Sequence, residues 1–373
     1  MTDRPLNVAV IGCGFIGKVH ASAYLNVPLH YDPVPVRTRL FAVCTAHQET
    51  ARRAKERFGF ELATTDWREA IAHPDVDLVS ICTPNAAHQE QLLCAIEHGK
   101  HIYCDKPLAA SADQARRVIG ALDGYSGTHQ MVFHLRFFPA TIKARELVDA
   151  GFLGQVLTFR AAYLHAGSVD PQAPFRWRFS KGAAGGGALY DLGSHVIDIL
   201  CHLVGDFAEL TASTHIAFTD RPSPDDPSIR VPVDADDAAF LLVRTASGAL
   251  GSIEATRLAT GAQDELRFEI HGTAGALRFN LMDPNWLDVY DRSQVDPGWR
   301  RLPTALSYPG SGGFLPAKAS IGWARAHVAC LHNFLCAVAR GGAAQPGLEV
   351  GADVQEIMDA AYRSAEGRRW VAL

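Results

Sequence analysis

A chain of 373 residues with a net charge of −5, 20% charged and 48% hydrophobic residues has the composition of an ordinary globular protein, too long for one comfortable hydrophobic core, so two domains are expected. That charge gives no electrostatic footprint for nucleic acid or an anionic membrane. No apolar run approaches a membrane span, and the opening Met1 to Pro5 leads into a strand rather than a signal peptide, so the expected compartment is the cytoplasm.

Asn7 to Ile11 is a short apolar run suited to a central parallel strand. It leads into Gly12-Cys13-Gly14-Phe15-Ile16-Gly17 and the helix-like Lys18 to Leu25, the strand, glycine loop and helix order of a dinucleotide fingerprint. Gly12 would serve the turn, Gly14 the approach of a pyrophosphate and Gly17 the packing of helix on strand, with phosphate on the helix N-terminus beside Phe15 and Ile16. Val27 to Arg39 reads as a proline-bearing insertion before the strand Leu40 to Thr45. That strand ends in Cys44-Thr45-Ala46-His47, without the acid that an NAD-preferring protein usually places on the adenosine ribose, while Arg52 and Arg53 follow on the next helix. Thr45 and Ala46 are the ribose-side candidates. NAD and NADP both stay open, with a lean towards NADP.

Thr50 to Phe58 and Trp67 to Ala72 read as helices, Asp77 to Cys82 as a buried strand, Ala86 to His98 as a helix and His101 to Cys104 as a strand. Strands alternating with helices at this spacing predict an α/β, Rossmann-type doubly wound parallel sheet over residues 1–125, with ligands at the carboxyl ends of its strands. Three loops fall there: Gly12 to Gly17, Thr83 to His88 and Cys104 to Pro107. In the last, Lys106 is fixed by the proline that follows it and can hydrogen-bond a substrate hydroxyl and favour its alkoxide; taken alone it also reads as a surface lysine.

Beyond Asp123 the pattern changes. Met131 to Arg136 is strand-like, Pro139 to Ala150 is a helix stopped by Gly151, and Val156 to Tyr163, Phe207 to Phe218, Ala238 to Thr245, Ala249 to Thr256 and Glu265 to His271 read as strands. Strands joined by turns predict an α+β domain over residues 126–373 with an open, mostly antiparallel sheet. Thr219 to Asp236 and Ser307 to Gly313 read as loops, and Trp323 to Ala339 and Gly351 to Glu366 as packing helices that can lie back on the first domain. Within this half, Gly185-Gly186-Gly187 precedes Asp191 and His195, which fall four apart in a segment of helical periodicity and share one face. A carboxylate beside an imidazole suits acid and base work near neutral pH, though an exposed pair on an amphipathic helix looks the same. His134, His165 and Arg178 are candidate substrate contacts, each equally readable as structural.

The eight cysteines form no Cys-x-x-Cys pair and read as small buried hydrophobes of a reducing compartment. The histidines lack zinc-site spacing, and no metal is expected.

Taken together, the glycine loop, Cys82-Thr83-Pro84-Asn85 with His88, Asp105-Lys106-Pro107, Arg136 to Ala140, Trp177-Arg178, the Gly185 to Asp198 stretch and the closing Asp359 to Ser364 resemble the glucose-fructose oxidoreductase, inositol dehydrogenase and MocA-type family. The resemblance spans nearly the whole chain. It implies an NAD(P)-dependent oxidoreductase acting on a secondary hydroxyl or ketone of a sugar, cyclitol or polyol, with a Rossmann domain and a second domain whose sheet covers the nicotinamide. Lys106 would polarise the reacting hydroxyl, His195 would take its proton and Asp191 would position the substrate or the imidazole. Thr83, Pro84, Asn85, His88 and Asp105 would line the cofactor; many members carry Glu where this chain has Asp105. A homodimer or homotetramer is also implied. Two rivals stand beside this reading: a glycosidase of the same fold that holds NAD tightly, and a regulatory protein that senses the nucleotide.

Overall fold

The computed structural model describes residues 4–305 and 319–373; the loop read at Ser307 to Gly313 lies outside them. The described residues within Met1–Phe137 and Pro309–Asp353 form one compact unit. Its six strands, β1 (Leu6–Ile11), β2 (Thr38–Cys44), β3 (Leu62–Thr64), β4 (Leu78–Ile81), β5 (His101–Asp105) and β6 (His129–Val132), pair in parallel in the order β3-β2-β1-β4-β5-β6. Val8, Val10, Leu78 and Val79 are fully buried, as central strands of a parallel sheet require.

Local chemistry starts the connecting helices. Asp66 accepts the backbone N–H groups of Arg68 and Glu69 at the head of Trp67–Ala72, and Ser111 accepts that of Gln114 at the head of Ala112–Gly120. The first helix, Phe15–His30, runs on through Pro28, past its expected end near Leu25. Pro28 falls in the last turn, where one missing backbone bond is tolerated.

The stretch Met131 to Arg136 is not a strand of the second domain. Its beginning belongs to β6 of the parallel sheet and its end is a 3-10 turn, His134–Phe137, so this unit extends past residue 125. The helix Trp323–Arg340 packs in the same unit, where Leu331, Phe334 and Leu335 join Val10, Tyr24, Val43 and Tyr103 in one apolar cluster.

The described residues within Phe138–Tyr308 and Val354–Leu373 form the second unit. It contains β7 (Val156–Leu164), β8 (Phe207–His215), β9 (Asp220–Pro222), β10 (Arg230–Pro232), β11 (Ala238–Thr245), β12 (Leu250–Thr256), β13 (Glu265–Gly272), β14 (Gly275–Asn280), β15 (Trp286–Asp291), β16 (Trp299–Pro303) and β17 (Val371–Ala372). Nine of them form one sheet in the order β16-β15-β14-β13-β7-β12-β11-β8-β17, antiparallel except where β7 meets β12. Alternation sets its faces: in β11, Leu241 and Val243 are buried while Phe240 and Leu242 are each 48% exposed. The segment Thr219 to Asp236, read as a loop, holds the separate ribbon β9–β10.

After the three glycines, Leu189–Gly193 forms a π-helical turn that feeds the α-helix Ser194–Val204. Asp236 anchors this turn, its carboxylate accepting the N–H groups of Gly187 at 2.9 Å and Leu189 at 3.0 Å. A Cβ on Gly187 would lie 1.8 Å from the Asp236 carbonyl oxygen, so only glycine allows the approach. From the last helix, Leu348–Gly367, the Tyr362 hydroxyl donates to Asp236, and Asp359 accepts from the Tyr190 hydroxyl.

Candidate active site

The first unit carries the nucleotide-binding features. Gly12 turns at φ +88°, and a Cβ on Gly17 would lie 2.0 Å from the Gly12 carbonyl oxygen, so helix and loop are in backbone contact. A Cβ on Gly14 would meet nothing within 4 Å, and no side chain caps the helix that starts at Phe15. Open space in front of an uncapped helix N-terminus fits the pyrophosphate of a dinucleotide. Gly17→Ala is expected to weaken NADH binding on the order of a hundredfold, because the added methyl must push the loop off the helix. A fluorescence titration with NADH checks it, and unchanged affinity would contradict this use of the loop.

At the end of β2, the Thr45 and Thr50 hydroxyls lie 2.6 Å apart and reach the His47 carbonyl oxygen at 2.9 and 2.8 Å. Thr45 is thus turned into its own loop, while Ala46 and His47 are exposed. The two arginines noted for a 2'-phosphate each pair with a glutamate one helical turn away, Arg52 with Glu56 and Arg53 with Glu49.

The loops after β4 and β5 are tied together by His88, whose ring nitrogens lie 2.9 Å from the Thr83 carbonyl oxygen and 3.0 Å from that of Pro107. His88 is 1% exposed, and burial lowers its pKa. It therefore braces the two loops from inside. Thr83 and Pro84 remain accessible, Asn85 is buried, and Asp105 and Lys106 are half-buried at the end of β5.

His134, read from sequence as either a substrate contact or structural, is 4% exposed, with its ring stacked 4.0 Å from that of His327 and edge-on to Trp323 at 5.4 Å. Burial first, then His134, His20 and Lys106 nearby, hold the His327 pKa well below its ordinary value. Trp323 in turn packs 5.7 Å from Phe15 of the glycine loop.

The second unit carries the carboxylate and imidazole that the sequence singles out, Asp191 and His195. Asp191 sits in the π-helical turn and His195 on the first turn of the following helix, where His195 is 5% exposed. Arg257, directly after β12, places a guanidinium nitrogen 2.9 Å from Asp191 Oδ2, and Arg178 Nε lies 3.6 Å from the same oxygen. Arg178 stacks on the Trp177 ring at 4.5 Å and keeps an exposed face. The Tyr163 ring lies 5.9 Å from that of His195, and its hydroxyl donates to Asp264 at 2.6 Å; His165 Nε2 meets the same carboxylate oxygen at 2.9 Å. Burial, then Asp264 and Asp191, raise the Tyr163 pKa well above its ordinary value, so it stays a phenol and a donor. Within this unit the structure brings together His165, Arg178, Asp191 and His195, with Tyr163, Arg257 and Asp264 added. Sequence pattern offered no means of finding the three additions: each lies in or beside a strand, and alternation gives a face but no partner.

Among the described residues there is no cluster of three or more metal-ligating side chains and no helix long and apolar enough to cross a membrane.

The sequence matches the family described as "Oxidoreductase family, NAD-binding Rossmann fold" over residues 6–133 and the "GFO/IDH/MocA C-terminal domain" over residues 141–278. A levoglucosan dehydrogenase of Pseudarthrobacter phenanthrenivorans is 38% identical, covering 98% of this chain and 97% of its own length. An inositol 2-dehydrogenase of Rhizobium meliloti is 27% identical over 98% of each chain. A solved levoglucosan dehydrogenase in complex with NADH superposes with a TM-score of 0.95 at 38% identity, covering 99% of both chains. The fingerprint loop, the two sheets and these relatives together make the chain a member of the GFO/IDH/MocA oxidoreductase family, an NAD(P)-dependent dehydrogenase acting on CH–OH groups.

Proposed function

We propose that the protein oxidises a secondary hydroxyl of a cyclic sugar, with an anhydrohexose of the levoglucosan type as first candidate, and that it uses NAD. The observation that carries this is the cluster of hydrogen-bonding side chains around His195, namely Asp191, Arg178, His165 and Asp264, in a chain 38% identical to a levoglucosan dehydrogenase over its length. Such a set suits a small ring bearing several hydroxyls.

When bound, the nicotinamide accepts hydride from the carbon that carries the reacting hydroxyl. Lys106 hydrogen-bonds that hydroxyl and stabilises its developing alkoxide, and the His195 imidazole takes the proton. Asp191, Arg178 and His165 hold the neighbouring hydroxyls. Backbone N–H groups from Gly12 to Gly17 would hold the pyrophosphate, the Thr45–Ala46 backbone would border the adenosine ribose, and Thr83, Pro84, Asn85 and Asp105, braced by His88, would flank the nicotinamide half. The NADH in the similar structure favours NAD over the NADP suggested by sequence.

We further propose self-association through the open sheet face, where Phe240 and Leu242 are exposed in a depression of about 810 Å³.

The test incubates the protein with NAD⁺ or NADP⁺ and a panel of levoglucosan, glucose and myo-inositol, reading the absorbance of the reduced nicotinamide. Net reduction of NAD⁺ with levoglucosan, at least tenfold faster than with the others, is the expected result. Turnover confined to myo-inositol, or as fast with glucose as with levoglucosan, would overturn the substrate reading. A hydrolase returns its nicotinamide to the starting state, so net reduction also separates this reading from the glycosidase.

A further inference from the structure

We infer that Arg257 is a positioning residue that neutralises Asp191 and thereby keeps the imidazole of His195 an available base. The inference rests on the proposed role of His195, and the experiment below separates the two.

Arg257 is a built part of the molecule. Its side chain is 8% exposed, and one terminal nitrogen donates to Asp191 Oδ2 at 2.9 Å and to the Gly187 carbonyl oxygen at 3.3 Å, while the other lies 3.5 Å from the Arg178 carbonyl oxygen. Its own backbone is fixed on both sides, its N–H donating to the Asp237 carbonyl oxygen at 2.8 Å and its carbonyl oxygen accepting the Ser168 N–H at 3.0 Å. One guanidinium thus links the Trp177–Arg178 segment, the glycine run and the π-helical turn. A planar, permanently charged fork suits that task, and a lysine would carry the charge without the fork.

The electrostatic consequence follows from position. Asp191 precedes His195 by one helical turn, and an uncompensated carboxylate there would stabilise the imidazolium. A protonated His195 cannot accept the hydroxyl proton. With Arg257 at 2.9 Å and Arg178 at 3.6 Å from the same oxygen, the carboxylate is neutralised and its field at the imidazole is reduced. Other titratable groups around His195 include Tyr163 on β7, held as a phenol, with Asp264 and His165 beyond it, and the buried Asp198 on its own helix; Lys106, in the proposed reaction, adds a cation at the shared hydroxyl that is common to every variant compared below. Arg257 and Arg178 are the cations observed on the Asp191 carboxylate, and their charge is what the variants below remove.

The test compares the pH dependence of kcat/KM for oxidation in wild type, Arg257→Gln, Arg257→Lys and Arg178→Gln, with His195→Ala assayed in parallel and thermal unfolding as a check on folding. Arg257→Gln is expected to lower kcat on the order of tenfold, to leave NADH affinity unchanged, and to move the acid limb of the profile to higher pH, because the freed carboxylate keeps His195 protonated longer. Arg257→Lys restores the acid limb to near its wild-type position while recovering only part of kcat. Should Arg257→Gln fail to fold, Arg178→Gln, at an exposed position, must shift the limb in the same direction by a smaller amount. An unmoved acid limb in a folded Arg257→Gln or Arg178→Gln protein overturns the inference, as does an Arg257→Lys profile indistinguishable from that of Arg257→Gln. Full turnover in His195→Ala would instead overturn the underlying role of His195.

Discussion

Lys106→Ala is expected to lower kcat by about a hundredfold or more, with NADH affinity within about twofold of wild type. The lysine stands at the end of β5, beside the proline that fixes its loop and apart from the glycine loop that would hold the pyrophosphate. In the proposed role its ammonium acts on charge that develops only as the hydroxyl loses its proton, so its removal would cost most in the transition state and little in cofactor binding. Lys106→Arg keeps a cation but not its compact shape and is expected to recover little activity. Steady-state kinetics beside a fluorescence titration read both quantities. A drop in NADH affinity that accounts for the whole loss would move Lys106 from the chemistry to the cofactor.

His195→Gln is expected to remove about a hundredfold to ten-thousandfold of kcat, the range that a positioned general base contributes. The imidazole sits on the first turn of its helix, 5% exposed, where the π-helical turn sets its direction; glutamine preserves polarity and much of the volume, so folding is retained. The pH dependence carries the sharper signature. With the imidazole gone, solvent must take the proton, and the residual rate should climb with pH where the wild-type rate has levelled. A variant with wild-type turnover and an unchanged pH profile would exclude His195 as the base.

Much of this arrangement was legible in the chain because its signals are local. The Gly12 to Gly17 loop lies between a buried strand and a helix, and Trp67–Ala72 and Ala238–Thr245 have the boundaries that their patterns indicated. Asp191 and His195 were legible as a pair because helical spacing alone puts them on one face. What escaped depends on partners far apart in sequence. The π-helical turn follows from Asp236 gripping Gly187 and Leu189 from more than forty residues away, and the clamp on Asp191 comes from Arg257, 66 residues on. The partners of His88 and His134 were likewise hidden, because one meets two loop carbonyls nineteen and five residues away and the other stacks on His327 from a distant helix. The strands β14, β15 and β16 were missed for a related reason, since residues such as Arg278, Asp288 and Arg300 interrupt their apolar alternation and obtain partners only once the sheet has formed.

The most direct test of the central claim is a crystal structure of the protein with NADH and levoglucosan, measuring the distances from the sugar hydroxyls to Lys106 Nζ and His195 Nε2. The account predicts one hydroxyl oxygen within about 2.6–3.2 Å of both atoms, on the carbon nearest the nicotinamide. An ordered sugar whose reacting hydroxyl lies beyond hydrogen-bonding reach of His195 would contradict it.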